Sequence, residues 1–268
     1  MGLVIFSDLD GTLLDHHTYS YQPALPALEE LKRRGIPLVL CSSKTRAEMI
    51  PLHAELGLDA PIIAENGGGV FAPEANPVAK GDAWRDAGEG WLVLEIGLPI
   101  DELRQRMEGF KDELGLKGFA DLSNHEVAKL TGLSKEQAAR AREREFNEPL
   151  LPPADDDAGK ALAEAAEEAG LQLTQGGRFW HLMGGGDKGK AVRLLSMLYA
   201  KRDPELKTMA LGDAPNDLNM LEAVDRPVLV AQPGGGHAEL ALEGLILEPL
   251  AGPAGFNHAV LAALEELR

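Results

Sequence analysis

VIFSDLDGTLLD, residues 4–15, runs from an apolar stretch into two carboxylates. Val4, Ile5 and Phe6 read as a short strand buried on both faces, because no polar residue alternates with them. Asp8 and Asp10 stand at its end, and Gly11-Thr12 supply a turn. On an extended chain the side chains at i and i+2 point the same way, which would place the two Cα atoms about 6.6 Å apart. Like charges this close are costly unless a cation lies between them or one acid keeps its proton. In open parallel sheets, ligands bind in the crevice beyond the carboxyl ends of the strands.

Working outward, short apolar runs alternate with helical patterns. LVIF (3–6) is followed by a helix over 23–35, a strand over 36–42, a helix over 45–57 and a strand over 61–67. This β-α-β-α-β order predicts a doubly wound parallel sheet of α/β class. After Gly69 the pattern changes. A strand is expected over 91–97 and helices over 99–114, 124–131, 134–146 and 161–170. The stretch 171–184 reads as a hairpin turning at Gly176-Gly177. The first pattern then returns, with a helix over 188–201, strands over 208–213 and 227–231, and a helix at the C-terminal end. The expectation is a core made from residues 1–80 and 187–268, with an α+β segment, 81–186, inserted between them.

The chain has 268 residues and a formal net charge of −17. Such acidity argues against a nucleic-acid partner, which needs a basic footprint, and against an anionic membrane surface. No apolar run reaches the roughly 18 residues of a spanning helix, and the N-terminal residues lack the pattern of a secretory signal. A cytoplasmic protein is expected. Cys41 is the single cysteine and sits within an apolar run, so it reads as a buried, unreactive thiol.

A second acid cluster ends another expected strand: LGDAPNDLNML (211–221), with Asp213, Asn216 and Asp217. Carboxylates gathered at one sheet edge, with neither cysteine nor clustered histidine, make a hard oxygen site that suits Mg²⁺ better than zinc or copper. Ser42-Ser43-Lys44 follows the second strand and precedes a helix. Its hydroxyls, its cation and the helix N–H groups suit phosphate oxygens. Lys188 opens a helix after three glycines, where a point charge can stand between acids and phosphate.

Taken in order, DxDGT at 8–12, Ser42, Lys188 and GDxxND at 212–217 resemble the four motifs of the haloacid dehalogenase superfamily. The inserted segment resembles the α/β cap of one of its subgroups. SSKTRAE (42–48), AENGGGVF (64–71), REFNEPLL (144–151) and GGRFWHLMGGGDKGKAV (176–192) are similar to the mannosylphosphoglycerate branch of that subgroup. The chain departs from the subgroup's usual Thr-Gly-Arg by having Ser42-Ser43-Lys44, and lysine cannot make arginine's bidentate fork.

The resemblance implies a Rossmann-like core and a Mg²⁺-dependent phosphatase acting on a small phosphorylated sugar or glycerate. It implies that Asp8 is the nucleophile and Asp10 the general acid and base. The metal would be held by Asp8, Asp10 through its carbonyl, and Asp213, with Asp217 as a further ligand or an orienting group. Ser42 and Lys188 would hold the phosphoryl oxygens, and Asn216 would orient phosphate or an acid. Ser43, Lys44, Asn66, Gly67, Arg144, Glu148, Arg178 and His181 are the candidate substrate contacts. Among them Lys44, Arg144 and Arg178 are the cations suited to a glycerate carboxylate. A different sugar-phosphate phosphatase, a phosphomutase and a non-catalytic phospholigand-binding protein are the competing readings. The last gains nothing from a nucleophile beside a phosphate anion.

Overall fold

The computed structural model describes residues 2–175 and 178–266. The expected turn at Gly176-Gly177 lies outside them. Its flanking strands, β8 (Gln172–Gln175) and β9 (Trp180–Met183), do pair antiparallel.

Six strands lie parallel in the order β12 (Ile246–Ala251), β11 (Arg226–Ala231), β10 (Lys207–Gly212), β1 (Leu3–Ser7), β2 (Leu38–Cys41) and β3 (Ile62–Ala64). Side chains of β1 alternate between two buried clusters. Leu3 and Ile5 join Leu40, Met209 and Phe256 on one face. Val4 and Phe6 join Val39, Ala210 and Leu195 on the other. Helices α1 (Leu25–Arg34), α2 (Arg46–Glu55) and α9 (Gly252–Glu266) contribute to the first cluster. α7 (Lys188–Ala200) and α8 (Leu218–Leu221) contribute to the second. Burial on both sides of β1, β2 and β3 is why those strands carry almost no polar residues. Cys41 is buried among them, and burial pushes its thiol up to about 12, so it stays protonated.

Three antiparallel strands extend this sheet beyond β3: β4 (Gly69–Pro73), β6 (Trp91–Glu95) and β5 (Arg85–Gly88). The expected boundary at residues 80 and 81 therefore falls inside the large sheet. Pairing Gly69–Pro73 with Trp91–Glu95 ties that part of the insertion to the core.

A second, three-stranded sheet has the order β7 (Asn147–Leu150), β9, β8. One of its faces packs Leu150, Leu173, Leu182 and Trp180 against α3 (Ile100–Lys111) and α6 (Asp156–Glu168). α4 (Asn124–Thr131) and α5 (Lys135–Ala141) close a smaller cluster around Phe119 and Phe179. α6 begins earlier than residue 161. Asp155 caps it by accepting from the Ala158 N–H, and Asp156 and Asp157 complement its N-terminal dipole, so the acidic run is a helix start. Among the described residues, no helix is long and apolar enough to cross a membrane.

Candidate active site

Following β1, the chain winds in one direction through β2 and β3. The returning chain winds in the other through β10 and β11. β1 and β10 are therefore neighbours at the point where the strand order reverses, and their carboxyl ends frame a crevice. Asp8 and Asp10 leave β1 there, and Asp213 leaves β10. Gly11 sits between them with φ +88°, a conformation that favours glycine, and a Cβ on it would lie 2.5 Å from Asp213 Oδ2. Thr12 Oγ1 donates to Asp213 Oδ1 at 3.3 Å. Gly11→Ala should therefore push Asp213 aside and weaken divalent-cation binding by at least roughly tenfold, since both the backbone and the cradle are lost. Calorimetric titration with the metal, beside a folding check by circular dichroism, measures this.

Lys188 opens α7 and is fully enclosed. Its Nζ donates to Asp8 Oδ1 and to Asp217 Oδ1, each at 2.7 Å. Burial alone would depress the ammonium, but Asp217 and Asp8 outweigh it and hold Lys188 well above its ordinary range. The acids shift upward too, which for a carboxyl favours the protonated form. Burial pushes Asp8 well up against the pull of Lys188, with Asp217, Asp213 and Asp10 adding to the rise. Burial and the charge of Asp217 push Asp213 up to about 7. One lysine thus leaves this cluster short of positive charge.

Carboxylate oxygens of Asp8, Asp213 and Asp217 lie within 4.8 Å of one another, so the three acids can hold a metal ion. Asp217 is the most constrained of them. Its Oδ2 accepts from the N–H groups of Asp213 and Ala214, and its Oδ1 is held by Lys188. The Asp10 carboxylate lies outside this trio. Lys44 Nζ donates to its Oδ2 at 2.5 Å, and its Oδ1 is buried without a partner among the described residues. Burial opposes the Lys44 charge, but the Asp10 carboxylate outweighs it and raises that lysine.

The Ser42–Lys44 loop is fixed by a turn that sequence reading did not resolve. Glu65 N–H donates to the Lys44 carbonyl at 3.0 Å, and Asn66 N–H to the Ser42 carbonyl at 2.9 Å. Lys44 N–H in turn donates to Ser42 Oγ at 3.3 Å. Glu65 and Asn66 both adopt left-handed backbone, φ 52° and 55°, an uncommon strain for consecutive non-glycine residues. Gly67 follows because a Cβ there would meet the Asp187 carbonyl at 2.2 Å. The glycine run at 67–69 is thus a close-packed junction: added Cβ atoms at Gly68 and Gly69 would strike Phe146. Gly184–Gly186 packs beside it, with Leu98 N–H donating to the Gly184 carbonyl, so both crossings between the two sheets run side by side.

Glu65 also grips the smaller sheet. Its fully buried carboxylate accepts from the N–H groups of Glu145, Phe146 and Asn147 at 2.8, 3.0 and 2.8 Å. Burial pushes the carboxyl up to about 7 against the pull of Arg144 and those donors. Neither Glu65 nor Asn147 appears among the residues expected from sequence. Their partnership spans some 80 residues of chain, and the only local hint is the turn-forming Asn66-Gly67 pair.

The expected substrate contacts divide by strand alternation. In β7 and β9, Glu148 and Trp180 belong to the face packed on α3 and α6, whereas His181 belongs to the opposite face. Glu148 is accordingly bound to Arg104 at 2.6 Å and accepts from the Ala120 N–H, so it serves the interior of the smaller unit. Arg144 is also placed differently from expectation: its side chain is largely covered and donates to the carbonyls of Ser43 and Ala141, tying the units together. Arg178 is exposed and donates to the Thr131 carbonyl. Of the three cations expected at a carboxylate, Lys44 alone pairs with an acid of the crevice. Asn216 is half-buried in the turn before α8, beside Asp217, and Ser43 is half-buried next to Lys44.

His181 is enclosed, and burial, reinforced by the charges of Arg144 and Lys188, drives its imidazole down to about 3. A depressed folded pKa gives stability that is full above the unfolded value near 6.5 and is lost as pH falls through the window toward 3. His181→Gln, which cannot take up the proton, should lose less stability between pH 7 and pH 4 than the parent, by a few kcal/mol on the scale of about 1.4 kcal/mol per unit. Denaturant unfolding at both pH values measures the difference.

Residues 5–81 and 158–233 match the model of the haloacid dehalogenase-like hydrolase family. The chain is 42% identical to a glucosyl-3-phosphoglycerate/mannosyl-3-phosphoglycerate phosphatase of Methanococcoides burtonii, covering 96% of each chain. It is 39% identical to a protein of the same name from Persephonella marina, over 99% of this chain and 98% of that one. A mannosyl-3-phosphoglycerate phosphatase of Pyrococcus furiosus is 36% identical over 88% of this chain and 94% of its own. In fold the chain is similar to a Thermoplasma acidophilum protein, with a TM-score of 0.70 at 18% identity and both chains wholly covered. A haloacid dehalogenase-like hydrolase of Bacteroides thetaiotaomicron gives 0.66, likewise at 18% identity and full coverage of both.

The chain belongs to the haloacid dehalogenase-like hydrolase family. Within that family it is a phosphatase.

Proposed function

We propose that the protein is a Mg²⁺-dependent phosphatase of mannosyl-3-phosphoglycerate, releasing mannosylglycerate and inorganic phosphate in the cytoplasm. The observation that carries this reading is that similarity to relatives bearing that name runs through the smaller sheet as well as the large one, at 36–42% identity. Glucosyl-3-phosphoglycerate is the second reading, favoured because two of those relatives are named for both sugars.

The roles that the family resemblance implies are supported by the geometry above as follows. Asp8 Oδ1 is held by Lys188, and its other oxygen has no protein donor among the described residues. Asp8 attacks phosphorus, forming an aspartyl-phosphate as the bond to the leaving oxygen breaks. Asp10 gives that oxygen its proton, then takes one from the water that attacks phosphorus and restores the Asp8 carboxylate. Lys44 positions Asp10, and Lys188 and Ser42 stabilise the transferring oxygens. Asp8, Asp213 and the Asp10 carbonyl would hold Mg²⁺, with Asp217 orienting Lys188 and the Asp213 backbone. Bound there, Mg²⁺ supplies the positive charge that lets a carboxylate approach a phosphate dianion.

Phosphate release from mannosyl- and glucosyl-3-phosphoglycerate, 3-phosphoglycerate and simple hexose phosphates, with and without Mg²⁺, tests the assignment. The glycosylated esters should be hydrolysed most efficiently and only with the metal. Equal efficiency on hexose phosphates would overturn the substrate, and full activity in chelator would overturn the metal.

A further inference from the structure

Among the described residues, three buried polar atoms of the crevice and the sheet junction have no partner: Asp10 Oδ1, Asn66 Oδ1 and Asn147 Nδ2. Buried amide groups left unpaired are uncommon because each forfeits its hydration without compensation. Asn147 is wholly enclosed, and its backbone is pinned by Glu65. Its register partner is Met183, and His181 pairs with Pro149, so Asn147 and His181 share one face of the smaller sheet. That face is opposite to the one packed on α3 and α6. Glu65, which accepts from the Asn147 N–H, belongs to the turn whose Gly67 packs against Asp187 and Lys188 at the start of α7, and the charges of Lys188 and Arg144 reach His181.

Asn147 Oδ1 and His181 Nδ1 are 3.1 Å apart. If His181 carries its proton on Nδ1, the pair presents Nε2 as an acceptor and the Asn147 amide as a donor. If the amide is turned and His181 is protonated on Nε2, the pair presents a donor and the Asn147 carbonyl as an acceptor. Either way it offers one of each. A hydroxyl needs both, whereas a carboxylate or a phosphate dianion only accepts.

We propose that Asn147 and His181 form a neutral pair that recognises a hydroxyl group of the substrate's sugar, rather than its carboxylate or phosphate. This rests on the glycosyl-phosphoglycerate reading above. It separates sugar recognition from phosphate binding: the pair belongs to the smaller sheet, and the phosphoryl-holding groups belong to the large one.

The test compares kcat/KM for mannosyl-3-phosphoglycerate with that for 3-phosphoglycerate, which lacks the sugar, in the parent, Asn147→Ala and His181→Gln. Asn147→Ala should reduce the preference for the glycosylated ester by roughly ten- to a hundredfold, mainly through KM. His181→Gln, which keeps a donor and an acceptor, should lose less. A monodeoxy sugar series run on the parent and on Asn147→Ala supplies the independent readout. One deoxy position should be penalised in the parent and cost nothing further in the variant. Equal losses on both substrates, or deoxy penalties that persist unchanged in the variant, would overturn the pair. A parent enzyme with no preference for the glycosylated ester would overturn the substrate reading instead. The same deoxy comparison on its best sugar phosphate then decides the pair.

Discussion

Asp8→Asn should reduce phosphate release by roughly ten-thousandfold or more while leaving the fold at least as stable. The catalytic half follows from chemistry, since an amide cannot form the acyl phosphate on which the two-step reaction depends. The stability half follows from the site. Burial, Asp217 and Asp213 all act against an ionised Asp8, and only Lys188 favours it strongly. A neutral side chain of the same shape removes that repulsion, and Asp217 still holds Lys188 at 2.7 Å. Turnover within tenfold of the parent would remove Asp8 from the role of nucleophile. A large loss of stability would show that its ionised form is a structural partner of Lys188 first.

Glu65→Ala should carry the largest structural penalty outside the hydrophobic core. Three backbone N–H groups of the crossing into β7 converge on this one carboxylate, at 2.8–3.0 Å. Each becomes a buried, unpaired donor in the variant, at about 1–3 kcal/mol per group before relaxation. A loss of about 3–5 kcal/mol in unfolding free energy is expected, together with a fall in kcat/KM, because the same turn fixes Ser42 and Lys44 through their carbonyls. Glu65→Gln keeps part of the acceptor set and should fall between the two. Denaturant unfolding and steady-state kinetics on the three proteins measure the order. An alanine variant as stable and active as the parent would mean the grip of Glu65 on the smaller sheet has no energetic weight.

The acid cluster and its lysine were legible in the sequence because these residues occupy strand ends and helix starts, positions that local pattern reveals. Asp8, Asp10 and Asp213 end apolar runs, Lys188 begins a helix, and the α/β alternation places all of them at one sheet edge. The relation between the two sheets was much less so. Arg144 and Glu148 belong to a segment rich in charge, and nothing local distinguishes an arginine bound to backbone carbonyls from one facing substrate. Strand parity puts Glu148 on the face packed on α3 and α6 and His181 on the opposite one, and that parity needed β7, whose NEPL sequence does not look like a strand. β4, β5 and β12 escaped for related reasons. β4 follows a glycine run, β5 is largely exposed, and β12 contains a proline and mostly exposed side chains, as an edge strand tolerates. The left-handed Glu65-Asn66 pair is set by long-range packing against α7 and the crossing into β7, and no short-range rule predicts it.

In the proposed reaction Asp8 forms a covalent bond to phosphorus. The most direct test is an acid-quenched incubation with Mg²⁺ and mannosyl-3-phosphoglycerate carrying a radiolabelled phosphoryl group, followed by peptide mapping. The result expected is an acid-stable, alkali-labile label on the peptide containing Asp8, formed within the first turnover and absent from Asp8→Asn. Substrate turnover with no label on the protein, or the same label in Asp8→Asn, would contradict it.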